Sequence, residues 1–191
     1  MKYRILLATV ATALLTTAPA HATVITFEDL PGTPYFVSLP ANYAGISWAA
    51  NFWAYADPQD PYTPHSGTVR VATNGDNPGD SSFDFGSDVV FEGAWFAGEP
   101  GYSPIGFLLY NNGTLVHTSS TLPANNIPTF LSSGYSGLVD RVVLIGTDGF
   151  YVMDDVTFQA AAASIPEPET YAMLLAGLGV LGFVGKRRKA S

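Results

Sequence analysis

The chain has 191 residues, no cysteine and a formal net charge of −8, from 8 Lys and Arg against 16 Asp and Glu. Zero cysteine excludes disulfide stapling, thiolate metal sites and a cysteine nucleophile. Between Thr23 and Ile165 stand 14 acids and only two bases, Arg70 and Arg141, and such an acidic body repels nucleic acid and anionic lipid.

The first residues read as an address. Lys2 and Arg4 give a positive start, and Ile5 to Ala18 form an apolar run rich in Leu and Ala. Ala20-His21-Ala22 then supplies the small residues of a cleavage site. That order predicts a secretory signal peptide over residues 1–22, and hence export.

Residues 23–160 read as one all-β domain. Short runs rich in Val, Ile, Phe, Tyr and Thr alternate with Gly, Pro and Asn. Strands are predicted at Val24–Glu28, Gly45–Asn51, Thr68–Thr73, Asp88–Phe96, Ile105–Asn111, Thr114–Ser119, Leu138–Gly146 and Phe150–Phe158. Asn112-Gly113 is a two-residue hairpin signal, because a type I′ turn needs positive φ at both central residues. Asp148-Gly149 suggests a second hairpin, and Ala54–Pro64 and Asn74–Ser82 read as long surface loops. Strands in this number and spacing predict a two-sheet jelly-roll sandwich.

The aromatics divide into two groups. Trp48 and Trp95 alternate with small residues inside predicted strands and read as core. Trp53, Tyr55 and Tyr62 sit among Pro and Asp, on what reads as a loop. Rings presented near carboxylates can stack on the apolar faces of sugars, so these three are the candidate glycan-binding residues. The competing reading is that they pin the loop to the sandwich.

The acids at the ends of the domain form a second candidate site. Phe150, Val152, Asp154, Val156 and Phe158 fall on one face of the last strand, which points Asp154 among apolar neighbours. A carboxylate there needs a partner, since an isolated buried charge is far too costly. Glu28 and Asp29 would lie near Asp154 and Asp155 if the terminal strands are adjacent, and an all-oxygen cluster suits Ca²⁺. The alternative is a kink or bulge that turns Asp154 to solvent. Thr26-Phe27-Glu28-Asp29-Leu30 and Val152-Met153-Asp154-Asp155-Val156-Thr157-Phe158 resemble the terminal strands of galactose-binding-like jelly rolls. That resemblance implies one structural calcium ion, with Glu28 and Asp154 as preferred ligands and Asp29 and Asp155 in reserve.

Catalytic signatures are scarce. There is no Gly-x-Ser-x-Gly elbow and no His-Glu-x-x-His, and only His65 and His117 survive removal of residues 1–22. A glycosidase needs only two well-placed carboxylates. No pair stands out, so the domain is expected to be non-catalytic, with a polysaccharide hydrolase the least favoured reading. Asn74-Gly75-Asp76-Asn77-Pro78-Gly79-Asp80 fails as an EF-hand loop, because Pro78 and Phe85 stand where ligands belong.

Residues 161–165 form a linker, and residues 166–191 are a second address. Pro166-Glu167-Pro168 precedes an apolar helix expected at about 170–185, and Lys186, Arg187, Arg188 and Lys189 follow it. Tyr171 to Gly185 spans roughly 22 Å as a helix, short of a hydrocarbon core of roughly 30 Å, and snorkelling lysine stems supply part of the rest. The four charges should remain cytoplasmic. This order resembles the PEP-CTERM sorting tail of exopolysaccharide-producing Gram-negative bacteria. The resemblance implies a transient inner-membrane anchor and cleavage near the PEP motif by an exosortase-type enzyme. Release to the cell surface or extracellular matrix would follow. The expected product is a structural, exported surface protein; the alternative is a calcium-stabilised carbohydrate-binding module that contacts exopolysaccharide.

Overall fold

The computed structural model describes residues 21–73, 81–146, 150–161, 172–179 and 185. The predicted signal sequence over 1–20, the Asn74–Asp80 segment and the Asp148-Gly149 turn lie outside the described residues. So do Pro166, Glu167, Pro168 and the basic cluster Lys186–Lys189. The chain divides into two compact units after Ala161. In the second unit, residues 172–179 are helical. No helix among the described residues is long and apolar enough to cross a membrane.

The first unit is mostly β. Its strands are β1 (Ala22–Ile25), β2 (Val37–Ser38), β3 (Asn42–Tyr43), β4 (Ile46–Trp48), β5 (Phe52–Tyr55) and β6 (Arg70–Thr73). There follow β7 (Ser82–Gly98), β8 (Gly106–Asn111), β9 (Thr114–Thr118), β10 (Thr129–Ser132), β11 (Val139–Ile145) and β12 (Tyr151–Ala160). Each of the eight predicted runs overlaps a strand. The other four are short or Pro-flanked, and β5 lies partly inside the predicted Ala54–Pro64 loop. Asn112 (φ 50°) and Gly113 (φ 75°) turn β8 into β9 with the positive φ pair that a type I′ hairpin requires.

Pairing is antiparallel throughout, in the order β2-β5-β6-β12-β7-β11-β8-β9. Two sheets were expected; hydrogen bonding instead joins all twelve strands into one. Strand β7 makes the join, because its 17 residues reach β4 and β11 at one end and β10 and β12 at the other. The first and last strands are adjacent, with Ala22 opposite Gln159 and Ile25 opposite Val156. A single large core draws on nearly every strand, including Phe27, Trp48, Phe83, Phe91, Phe107, Leu109 and Leu144.

Strands β7 and β12 change phase where they face each other. In β12, Tyr151 and Met153 enter the core, and so do Val156 and Phe158 beyond them. The parity flips at Asp154-Asp155, where Asp155 takes φ 47° and the ladder to β7 is irregular. Opposite, Phe91 and then Ala94 and Phe96 enter the core, with the flip at Gly93. Two consequences follow for the sequence-based expectations. The run from Phe150 to Phe158 does not share one face, and Trp95 is not a core residue. Gly93 turns Trp95 outward, opposite Asp154. Trp48 does pack in the core.

Candidate functional site

Alternation along β5 sends Phe52 and Ala54 into the core and leaves Trp53 and Tyr55 on the other face. Trp53 stands opposite Ala72 on β6, and Ala72 stands opposite Val152 on β12, which in turn faces Ala97 on β7. Of this row of small residues, Ala72 lines the space between taller rings, and Ala97 and Val152 are buried. Tyr55, Ala72, Ala97 and Val152 form a second apolar cluster, against which Tyr62 packs from the β5–β6 connection.

The result is a cleft of about 500 Å³ lined by Phe36, Trp53, Tyr55, Gln59, Tyr62, Ala72, Thr73, Phe150 and Tyr151. That volume lies within the range of small-ligand sites. The three glycan candidates named from sequence therefore meet in one cleft. Two of them, Trp53 and Tyr55, are carried by a strand rather than by the expected loop. Phe36 and Phe150, which sequence reasoning did not single out, complete the aromatic lining and are solvent-facing at 62% and 42% exposure. Phe36 lies 4.5 Å from the Tyr55 ring, and Tyr102 stacks on Phe150 at 4.1 Å, extending the rim. Arg70, 1% exposed, sits with its guanidinium carbon 4.1 Å from the Tyr55 centroid.

The polar character of the cleft is hydroxyl and amide. Burial raises the Tyr55 hydroxyl, partly offset by Arg70. Burial also raises Tyr62, with Glu99 and Tyr102 adding to it. The fully enclosed Tyr151 is pushed up to about 12 by burial, while a hydrogen bond with Thr73 pulls the other way. The Tyr55 and Tyr62 phenols stay protonated and can donate to an oxygen ligand.

Beside the cleft, the acids of the terminal strands hold the segment His65–Val69. Asp154 Oδ2 accepts the backbone N–H groups of His65 and Ser66, both at 2.9 Å. Its Oδ1 accepts the N–H of Asp155 at 2.8 Å. Asp155 Oδ2 bonds His65 Nδ1 at 2.6 Å, and its Oδ1 accepts from Ser66 Oγ at 2.8 Å. Glu28 Oε1 accepts the N–H groups of Thr68 (2.9 Å) and Val69 (2.6 Å). Gly67 (φ 51°) permits this, because a Cβ there would stand 2.1 Å from the Glu28 carboxyl carbon. The His65 ring lies flat on Trp95, with centroids 3.4 Å apart. Asp29 faces elsewhere and accepts from the Tyr43 hydroxyl, which burial and that carboxylate push upward.

Glu28, Asp154 and Asp155 thus converge on one segment, and Asp29 does not join them. Asp154 is 2% exposed, so the bulge foreseen as the alternative does occur but does not release it to solvent. Burial and the Asp155 charge raise its carboxyl to about 6, against the pull of its three N–H donors. This donor set does not fit a calcium ion as it stands, since both Asp154 oxygens already face N–H groups. Among the described residues, no group of three His, Asp or Glu side chains is placed to hold a metal. His65, Ser66 and Asp155 share the residue types of a hydrolytic triad, yet Ser66 Oγ bonds the carboxylate rather than the imidazole. Sequence reasoning passed over His65 and Ser66, since they lie 88 to 90 positions from their partners.

Comparison with known proteins addresses the far end of the chain. Residues 164–189 match the family described as the PEP-CTERM protein-sorting motif. The chain carries a PEP-CTERM sorting motif. It spans the Pro166-Glu167-Pro168 segment, the described helix at 172–179 and the basic cluster read from sequence. One solved structure that is similar to the PEP-CTERM-bearing chain is a mutant of a family 29 carbohydrate-binding module, from work on its ligand recognition. It is 14% identical with a TM-score of 0.41, over 78% of this chain and 100% of that one. No curated protein matches the chain.

Proposed function

We propose that this chain is an exported protein delivered to the cell surface or matrix, where its β-domain binds carbohydrate. The observation that supports binding is the convergence of Trp53, Tyr55 and Tyr62 with Phe36 and Phe150 around one open cleft. Flat apolar rings beside hydroxyl and amide groups match the two surfaces of a pyranose, its C–H face and its hydroxyl edge. In this reading the domain is a non-catalytic jelly roll of the galactose-binding-like kind, which the adjacency of β1 and β12 supports.

Delivery rests on the PEP-CTERM motif. Residues 1–22 serve as the signal peptide, and the apolar segment that contains the helix at 172–179 holds the precursor in the inner membrane. Lys186, Arg187, Arg188 and Lys189 stay on the cytoplasmic side. An exosortase-type enzyme cuts near Pro166-Glu167-Pro168 and frees the domain for the surface, where exopolysaccharide is the available ligand.

Co-sedimentation of the purified protein with its host's exopolysaccharide tests the binding half. Retention is expected, and Trp53→Ala should weaken it about tenfold or more, as losing a central aromatic anchor does. Absence of retention would leave the domain as structural cargo of its tail.

A further inference from the structure

We infer that the cleft selects uncharged glycans and rejects acidic ones, an inference that rests on the carbohydrate-binding reading above. An anionic sugar carries a carboxylate, sulfate or phosphate that needs a cation or a fan of N–H donors when it leaves water. From Thr23 to Ile165 the chain has no Lys and only two Arg, and neither is offered to the cleft. Arg70 lies behind the Tyr55 ring, with Nη1 donating to the Thr68 carbonyl at 3.2 Å and Nη2 to the Asp57 carbonyl. Arg141 is on β11, which β7 separates from β12, and it faces Asp84 at 3.6 Å and Ser82 Oγ at 3.0 Å. Both histidines are engaged away from the lining: His65 with Asp155, His117 stacked on Tyr135.

The charges near the cleft are of the opposite kind. Glu99 acts on the Tyr62 hydroxyl, Asp57 acts on Tyr55, and Asp60 follows Gln59 on the wall. An acidic residue of a polysaccharide would meet this field at short range and find no counter-charge. A neutral hexose chain meets rings, the Gln59 amide and tyrosine hydroxyls, none of which requires a charge on the ligand. The acidic body therefore acts as a filter on ligand class.

Native affinity electrophoresis in a non-ionic detergent tests this, using the full chain with Lys2, Arg4, Lys186, Arg187, Arg188 and Lys189 each changed to glutamine so that the terminal cations do not themselves bind an acidic gel. One set of gels holds hydroxyethylcellulose or galactomannan, the other alginate or polygalacturonate. Retardation is expected in a neutral gel, with apparent affinity at least tenfold lower in both acidic gels. Retardation in an acidic gel equal to or above the neutral one overturns the selectivity but leaves carbohydrate binding intact. No retardation in any gel overturns both. Glu99→Lys, a rim change checked for an unaltered Tm, should gain retardation in polygalacturonate. A folded variant with no gain would show that charge is not the discriminator.

Discussion

Asp154 shows how one side chain can couple stability to pH. Its carboxyl holds a proton up to about pH 6 when folded. In an unfolded chain an Asp loses its proton near 3.9. The folded state binds the extra proton between those values, so this residue makes stability fall as pH rises from about 4 to about 6. The full effect is up to about 3 kcal/mol, from roughly two units at 1.36 kcal/mol each. Denaturant titrations at pH 4, 5, 6 and 7 should show that slope, and Asp154→Asn should remove it; an unchanged slope would assign it to other groups. The same carboxylates accept N–H donors, so EDTA should leave the thermal midpoint where it is. A clear drop in Tm with chelator, reversed by Ca²⁺, would show that those oxygens turn to a cation in solution. The grouping of Glu28, Asp154 and Asp155 was legible in the sequence because they end or interrupt the terminal strands. What they hold was not, because backbone N–H groups some 40 to 90 residues away leave no mark in the local pattern.

Strand β12 carries the two faces of the domain by changing phase part-way along. A strict period of two would put Val152 and Val156 on one side. The left-handed turn at Asp155 lets Val152 join the cluster of Tyr55, Ala72 and Ala97 and lets Val156 enter the core. Asp tolerates that conformation through its short polar side chain, better than the flanking Val or Met would. Inserting one alanine after Asp155 should carry Val156 and Phe158 off the core face. Loss of the near-UV dichroism of the packed aromatics is the expected result; a native spectrum would mean the ladder can slip at little cost. The sequence pattern predicts the strand and allows a bulge at Asp154, but it carries no sign of the matching flip at Gly93, which is why Trp95 reads as core. Strand β5 was missed for a different reason: Pro58, Pro61 and Pro64 dominate the window and conceal four strand residues just before them.

For the whole molecule, charge is distributed by task. The acidic 23–165 region lies between a signal-like start and a PEP-CTERM end whose only lysines and arginines are the four at 186–189. The sorting motif was legible because a machine reads it as linear order rather than as a fold. Replacing Pro166-Glu167-Pro168 by three alanines should stop processing. The protein would then accumulate in the membrane fraction at its uncut mass, as immunoblots of fractionated cells would record, and unaltered cleavage would remove the motif from recognition. The course of β12 adds a mechanical consequence. Tyr151, at its start, lines the cleft, and Ala160, at its end, precedes the tail by a few residues. Under the proposed function, tension between a held polymer and the C-terminal end of the domain would run along ten residues of one strand, roughly 33 Å. That strand is laced to β7 on one side, and to β6 and then β1 on the other. Pulling it out requires shearing both ladders at once, so under the proposed function the load would fall on the strand that is paired on both sides.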